Sequence, residues 1–272
     1  CPPQITSYGF AVLTDGRMIS AFTDGGTVLW QRGVPGRPDP YLTVLDGDFL
    51  LSVSGGNTLS LINPGGLALW SVTLPFTVTA SPVSGRDSRI FVQGKNDISC
   101  YGINNVCKWH LSTEDQSSVP LQEFPDGSLV VFLMKAPAGK TSALRISPFG
   151  EMLEEITFAG TVVSASSCRD GILVSFSGGG AGLCILRNGK TADGWSSPSP
   201  SGSFFLTVSD SLASFIEPSG QGSRVSFINP ATGKTSCTVS VPGVSCTSVI
   251  SAKAYPDGVF FSDPHRAVFC AS

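Results

Sequence analysis

Phe22-Thr-Asp-Gly-Gly-Thr-Val-Leu-Trp30 and Ile62-Asn-Pro-Gly-Gly-Leu-Ala-Leu-Trp70 are two copies of one short pattern. An apolar strand end runs into a turn of Asn, Asp, Pro and Gly, and a second strand follows that carries Trp. A third copy, Ile103-Asn-Asn-Val-Cys-Lys-Trp109, has a shorter turn. Weaker copies begin at Ile146, Leu186 and Ile228, as Ile-Ser-Pro-Phe-Gly, Leu-Arg-Asn-Gly-Lys and Ile-Asn-Pro-Ala-Thr-Gly-Lys. The six anchors stand 40, 41, 43, 40 and 42 residues apart, and one more such step from Ile228 reaches Phe269 near the end of the chain.

A period of about 40 residues built from four short strands is the signature of a β-propeller. The arithmetic predicts an all-β fold, a seven-bladed propeller of four-stranded antiparallel blades formed by residues 1–272 as a single domain. Blade boundaries are expected near residues 33, 74, 114, 159, 199 and 241. Within 76–111 the runs Phe76–Ala80, Arg89–Gln93, Asp97–Tyr101 and Val106–His110 read as strands one to four, since they are β-branched or aromatic and bounded by turn residues. Asp-Gly pairs at 46–47, 126–127, 170–171 and 257–258 are expected to turn strand one into strand two, because Gly accepts the positive φ of a type I′ turn. No segment has a convincing helical period, so no helix longer than about two turns is expected. Residues 2–7 fit either the first strand of blade one or the missing outer strand of blade seven.

Composition agrees with this reading. The chain has 31 Gly and 19 Pro yet is 41% hydrophobic, which suits many short strands and turns. A net charge of −3 argues against nucleic acid, whose phosphates need a basic face. No apolar run approaches the roughly 18 residues of a membrane-spanning helix. The eight Cys include no CxxC and the two His are far apart in sequence, so a zinc site is not expected. Cys1, followed by Pro2 and Pro3, has the form of a mature bacterial lipoprotein N-terminus, with Cys1 as the lipid attachment point and residues 1–6 as a lead into the fold.

The stretches Ser81-Pro82-Val83, Arg89-Ile-Phe-Val, Cys100-Tyr-Gly-Ile-Asn and Cys107-Lys-Trp109 resemble the PQQ-like propeller repeat, itself related in design to WD40-like repeats. The resemblance is clearest over residues 9–111 and stays in phase to the C-terminus. Quinone-dependent dehydrogenases with this repeat imply eight blades, adjacent paired cysteines and calcium ligands. This chain has no Cys-Cys pair and counts to seven, so neither a quinone cofactor nor a metal is expected.

Other chemistry is weakly signalled. Asp24-Gly25-Gly26 is off the spacing of a sialidase-type Asp box. Ser177-Gly-Gly-Gly-Ala-Gly182 joins two strands, whereas a phosphate loop leads into a helix. His110 reads as a satisfied structural histidine and His265 as a loop residue. Cys100 and Cys107 flank a short turn and form a possible disulfide; the remaining thiols read as buried. The Trp residues are expected to pack on the adjacent blade.

The resemblance therefore implies a non-catalytic protein–protein interaction scaffold, similar in design to BamB-type envelope lipoproteins, lipid-anchored on the periplasmic or surface side of a membrane. Its partner would be an envelope protein. The alternatives are a propeller that holds a sugar or peptide at its channel or loops, and, more remotely, an enzyme. Loops that depart from the repeat are where function tends to sit on a rigid scaffold, and within them Arg37, Lys135, Lys140 and Arg266 are the expected interaction face.

Overall fold

The computed structural model describes residues 4–7, 11–14, 17–34, 41–117, 119–124, 126–135, 139–158, 160–168, 171–176, 180–182, 186–187, 190–191, 196–198, 204–209, 212–220, 222–229, 232, 234–243, 251–255, 258–262 and 267–271. Contacts divide the chain into two compact units, Cys1–Pro120 with Pro148–Glu151, and Leu121–Ser147 with Met152–Ser272.

In the first unit three sheets follow one another along the chain, each an antiparallel meander. They are β1 (Gln4–Ile5), β2 (Ala11–Thr14), β3 (Met18–Phe22) and β4 (Val28–Gly33); then β5 (Tyr41–Val44), β6 (Leu50–Ser54), β7 (Thr58–Ile62) and β8 (Ala68–Thr73); then β9 (Val83–Gly85), β10 (Arg89–Gln93), β11 (Asp97–Gly102) and β12 (Cys107–Ser112). A two-residue strand, β13 (Gln116–Ser117), comes next in the chain.

The second unit continues with β14 (Gln122–Glu123), β15 (Leu129–Lys135), β16 (Lys140–Ile146) and β17 (Met152–Phe158). Its next sheet joins β18 (Val162–Cys168), β19 (Gly171–Phe176), β20 (Gly180–Gly182) and β23 (Ser196–Pro198), with the small pair β21 (Leu186–Arg187) and β22 (Lys190–Thr191) inserted before the last strand. Then come β24 (Phe204–Ser209), β25 (Leu212–Ser219), β26 (Gly222–Ile228) and β27 (Thr235–Pro242), and a three-stranded sheet of β28 (Ser251–Tyr255), β29 (Gly258–Ser262) and β30 (Ala267–Ala271).

The predicted boundaries coincide with the ends of outer strands. Strands β4, β8, β12, β17, β23 and β27 stop at Gly33, Thr73, Ser112, Phe158, Pro198 and Pro242. Among the described residues the only helical pieces are two 3-10 turns, Asp46–Asp48 and Arg86–Ser88. Gln4–Ile5 pairs with β2, which decides for the first of the two readings of the N-terminal segment.

Burial explains why these strands are apolar almost without interruption. Every residue of β6 and β10 is buried. Leu50 and Ile62 of the second sheet pack with Ile19 and Ala21 of the first. Leu51, Val53, Leu59 and Leu61, on the opposite face, pack with Ile90, Val92 and Tyr101 of the third. Successive side chains alternate between faces, so one strand feeds two cores. A sheet covered on both sides needs no polar face.

Two local expectations are corrected. Phe76–Ala80 is not the first strand of the third sheet. It is a connection in which Val78 N–H donates to Gly56 O and Thr79 N–H to Gln93 O, and the strand itself starts after Pro82 at Val83. The Asp-Gly connections at 46–47 and 126–127 are also not two-residue type I′ turns. Leu45 N–H donates to Phe49 O across a three-residue loop in which Gly47 and Asp48 have φ of 73° and 59°. Phe124 N–H bonds Ser128 O in the same way around Gly127 at φ 80°. Gly remains the reason the chain can turn there. The other two Asp-Gly pairs lie partly outside the described residues.

Candidate interaction surface

The feature that repeats most faithfully is a β-bulge near the start of the outer strand. Ala21 pairs with Trp30 and Phe22 with Val28, so Leu29 is the extra residue. The same slip isolates Leu69 in the second sheet, Lys108 in the third, Leu153 in the fourth and Ser236 in the sheet of β24–β27. A bulge turns its extra residue out of the ladder. Leu29, Leu69 and Leu153 are accordingly 44%, 50% and 52% exposed.

Beside each bulge in the first unit stands the repeat's Trp, and its indole reaches the turn of the following repeat. Trp30 Nε1 donates to Pro64 O at 2.8 Å, Trp70 Nε1 to Ile103 O at 2.7 Å and Trp109 Nε1 to Pro148 O at 3.1 Å. The acceptor is the second residue of the turn each time. The turn's fourth residue has positive φ, at Gly66 (85°), Asn105 (65°) and Gly150 (90°). Trp30 lies against Gly66 and Trp109 against Gly150, closely enough that a Cβ at either glycine would meet the indole within 3 Å. The expected role of Trp as packing on the next repeat holds at all three positions; Trp195 lies outside the described residues.

The exposed apolar side chains of the first unit recur on the bulges and turns that these contacts link, as a stripe along successive repeats. Val28 and Leu29 lead through Trp30 to Leu67 and Leu69, then through Trp70 to Ile103 and Val106, then through Trp109 to the turn that holds Phe149, which is 81% exposed. Exposed apolar side chains gathered in this way mark candidate interaction sites. The sequence reading passed over it because Leu29 and Leu69 look like ordinary strand residues until the bulge turns them outward.

The predicted interaction face is only partly visible. Arg37 and Arg266 lie outside the described residues, as do Cys1 and His265. Lys135 and Lys140 face each other at the turn end of the β15–β16 hairpin. Lys135 Nζ pairs with Glu155 Oε1 at 2.8 Å. That lysine, through its hydrogen bond, is the first cause holding the Glu155 carboxyl below its usual range.

His110 is satisfied, as the sequence suggested. Ser112 Oγ donates to Asp97 Oδ1 at 2.8 Å, so that hydroxyl accepts from His110 Nε2–H at 3.1 Å, and Nδ1 then accepts from Ser99 Oγ at 2.8 Å. The same cross-strand place holds Gln31 on Ser20, Ser71 on Ser60 and Thr238 on Ser226. A position polar in four sheets belongs to the repeat's architecture, not to chemistry at one sheet. Among the described residues no three His, Cys, Asp or Glu side chains are grouped as a metal site.

The possible Cys100–Cys107 disulfide is not formed; both thiols are free. The bulge is the reason. Cys100 stands opposite Trp109 and Cys107 opposite Tyr101, which places the two sulfurs toward different faces of the sheet. Burial pushes the Cys100 thiol up to about 11, against the pull of Arg89 and Lys108. Cys237, expected to be buried, is exposed, as is Cys107. A thiol reagent at about pH 8 should label Cys107 and Cys237 in the folded protein and reach Cys100 only after denaturation. Peptide mapping that finds Cys100 modified as fast as Cys107, or the two linked, would contradict this assignment.

No family model matches the sequence, and no curated protein matches it. Solved structures do. BamB from Moraxella catarrhalis superposes with a TM-score of 0.70 at 12% identity, covering 98% of this chain and 80% of that one. Kuenenia stuttgartiensis hydrazine synthase gives 0.69 at 12% identity, over 99% of this chain and 94% of that one. The Pan2 WD40 domain of Neurospora crassa gives 0.62 at 13% identity, over 98% and 86%. Likeness that spans an enzyme and a WD40 domain fixes architecture and not activity. The chain has a β-propeller fold, resembling that of BamB.

Proposed function

We propose that this chain is a non-catalytic protein–protein interaction scaffold, a seven-bladed propeller of the BamB-like type that works at a bacterial cell envelope. The observation that carries the reading is the apolar stripe across three consecutive sheets, ending at Ile103, Val106 and Phe149. Each exposed side chain sits on a bulge or turn that a Trp indole locks to the next repeat. Little conformational entropy is left for a partner to remove, which is how a rigid surface favours affinity. The propeller neighbours support a scaffold role, and six boundaries at the predicted spacing support the count of seven. Arg37, Lys135, Lys140 and Arg266 are further, charged contact residues in this proposal.

A photo-crosslinking residue at position 106 or 149, introduced in the native cell, tests it. Crosslinks to one envelope protein are expected from both positions, and far fewer from exposed Ser84 on β9. Equal yields from all three positions would remove the stripe as the binding surface. Replacing the four cationic residues by Ala in the same cells reports on their contribution.

A further inference from the structure

Strand β8 is the outer edge of its sheet, paired with β7 alone. Between Asp48 and Arg86 the sequence contains no Asp, Glu, Lys or Arg. Strands β6, β7 and β8, the turn before β8 and the connection after it therefore carry no charge. An exposed sheet edge is a template for another strand, and proteins usually blunt it with charges or bulges. The other outer strands of the first unit follow that rule, with Arg32 on β4 and Lys108 on β12, and so does β17 with Glu154 and Glu155. Strand β27 is also uncharged, but its exposed residues, Thr235, Ser236, Cys237, Thr238, Ser240 and Pro242, include no leucine. Only β8, among the described outer strands, combines an uncharged edge with exposed leucines, Leu67 at 63% and Leu69 at 50%.

Beyond its bulge, β8 is regular. Trp70, Ser71, Val72 and Thr73 pair in unbroken register with Leu61, Ser60, Leu59 and Thr58. The Trp70 indole, bonded to Ile103 O, fixes the near end of this edge.

We propose that β8 is a self-association edge, on which the β8 strand of a second copy of this chain docks antiparallel. Charge selects the occupant. Twofold pairing sets each strand against its own sequence, so a charged edge meets its like charge directly opposite or close by, which is destabilising. Arg32, Lys108 and the Glu154–Glu155 pair oppose self-pairing in that way, and β8 has nothing that does. Pairing about Ser71 sets Ser71 of each copy against the other and Trp70 across from Val72, with neutral residues throughout and exposed Leu69 flanking the pair. A partner chosen for its charge would find no counter-charge on this edge. The pairable stretch is four residues, so the interface is small and the affinity weak.

Sedimentation velocity of the full chain over roughly 1–100 μM, the range where small interfaces dissociate, tests the proposal. Reducing agent is present so that Cys107 and Cys237 cannot cross-link. A concentration-dependent shift from monomer toward dimer is expected. Ser71→Lys and Leu69→Lys, both at exposed positions, should each weaken it at least tenfold, and Thr73→Pro provides a third variant if one fails to fold. Lys108→Glu on the neighbouring edge should change nothing. Amides of residues 70–73 should exchange more slowly at high protein concentration. A wild-type chain that stays monomeric throughout, or folded β8 variants that associate like wild type, overturns the proposal. Neither result bears on crosslinking at positions 106 and 149, so the two readings fail separately.

Discussion

Replacing Trp70 by Ala should lower the unfolding midpoint by roughly 6–12 °C. The indole packs against the core shared by the second and third sheets, beside Leu51, Val53, Ile90 and Val92. Removing a buried Trp costs about 3–5 kcal/mol, and Trp70 is half-buried, so about 3 kcal/mol is the expected loss. In a chain of this size each kcal/mol corresponds to about 2–4 °C. Trp70→Phe separates the two parts of the effect. It keeps most of the apolar contact and removes only the N–H donated to Ile103 O. That bond lies near the surface, where water can replace it, so the cost should be about 0.5–1 kcal/mol and at most about 4 °C. Thermal unfolding followed by circular dichroism distinguishes the variants. If Trp70→Ala melts within about 2 °C of wild type, the indole does not lock the second repeat to the third.

The periodicity of the fold was legible because each repeat restates it. The anchors at Phe22, Ile62 and Ile103 end the third strands of their sheets or, for Ile103, follow one, and the Trp that closes each copy stands at the equivalent place on the outer strand. Strand identity was harder where two segments compete. Phe76-Thr-Val-Thr-Ala has a better β composition than Val83-Ser-Gly, yet the second forms the strand. The first is used as a connection whose amides bond Gly56 and Gln93 on two different sheets. Local propensity cannot see that competition, because the deciding partners, Gly56 and Gln93, lie 22 and 14 residues away along the chain.

The site was less legible for a related reason. Exposed Leu29 and Leu69 stand next to half-buried Trp30 and Trp70, and the slipped register at each marks the bulge that turns them toward solvent. The cysteine pair shows the same limit. Spacing placed Cys100 and Cys107 around one turn, and the bulge at Lys108 set them toward different faces. Lys135 read as a free loop cation and proves to be engaged by Glu155, twenty residues on. Charged loop residues advertise themselves in a sequence, whereas their partners do not.

Gly66 and Gly26 give the sharpest test of the indole lock, because they differ in one respect only. Both occupy the fourth position of the turn before an outer strand, with φ of 85° and 79°. An Ala at either must adopt a left-handed conformation, at about 1 kcal/mol. At Gly26 the added Cβ meets nothing within 4 Å, so that is the whole cost. At Gly66 it would lie 2.6 Å from Trp30 Cδ2 and 2.8 Å from Cγ. Those atoms are at the root of the ring and cannot swing away without undocking the indole and its bond to Pro64 O. Overpacking adds about 1–3 kcal/mol, so Gly66→Ala should cost about 2–4 kcal/mol in total. A double-mutant cycle isolates the contact. In a Trp30→Ala background the ring is gone, and Gly66→Ala should then cost no more than Gly26→Ala does. The coupling between positions 30 and 66 should therefore be about 1–3 kcal/mol, the range for residues in contact, and between 30 and 26 close to zero. Chemical denaturation of the three single and two double variants measures both. If Gly66→Ala costs the same with and without the Trp30 ring, the indole does not rest on that glycine, and the stripe loses the rigidity argued for it.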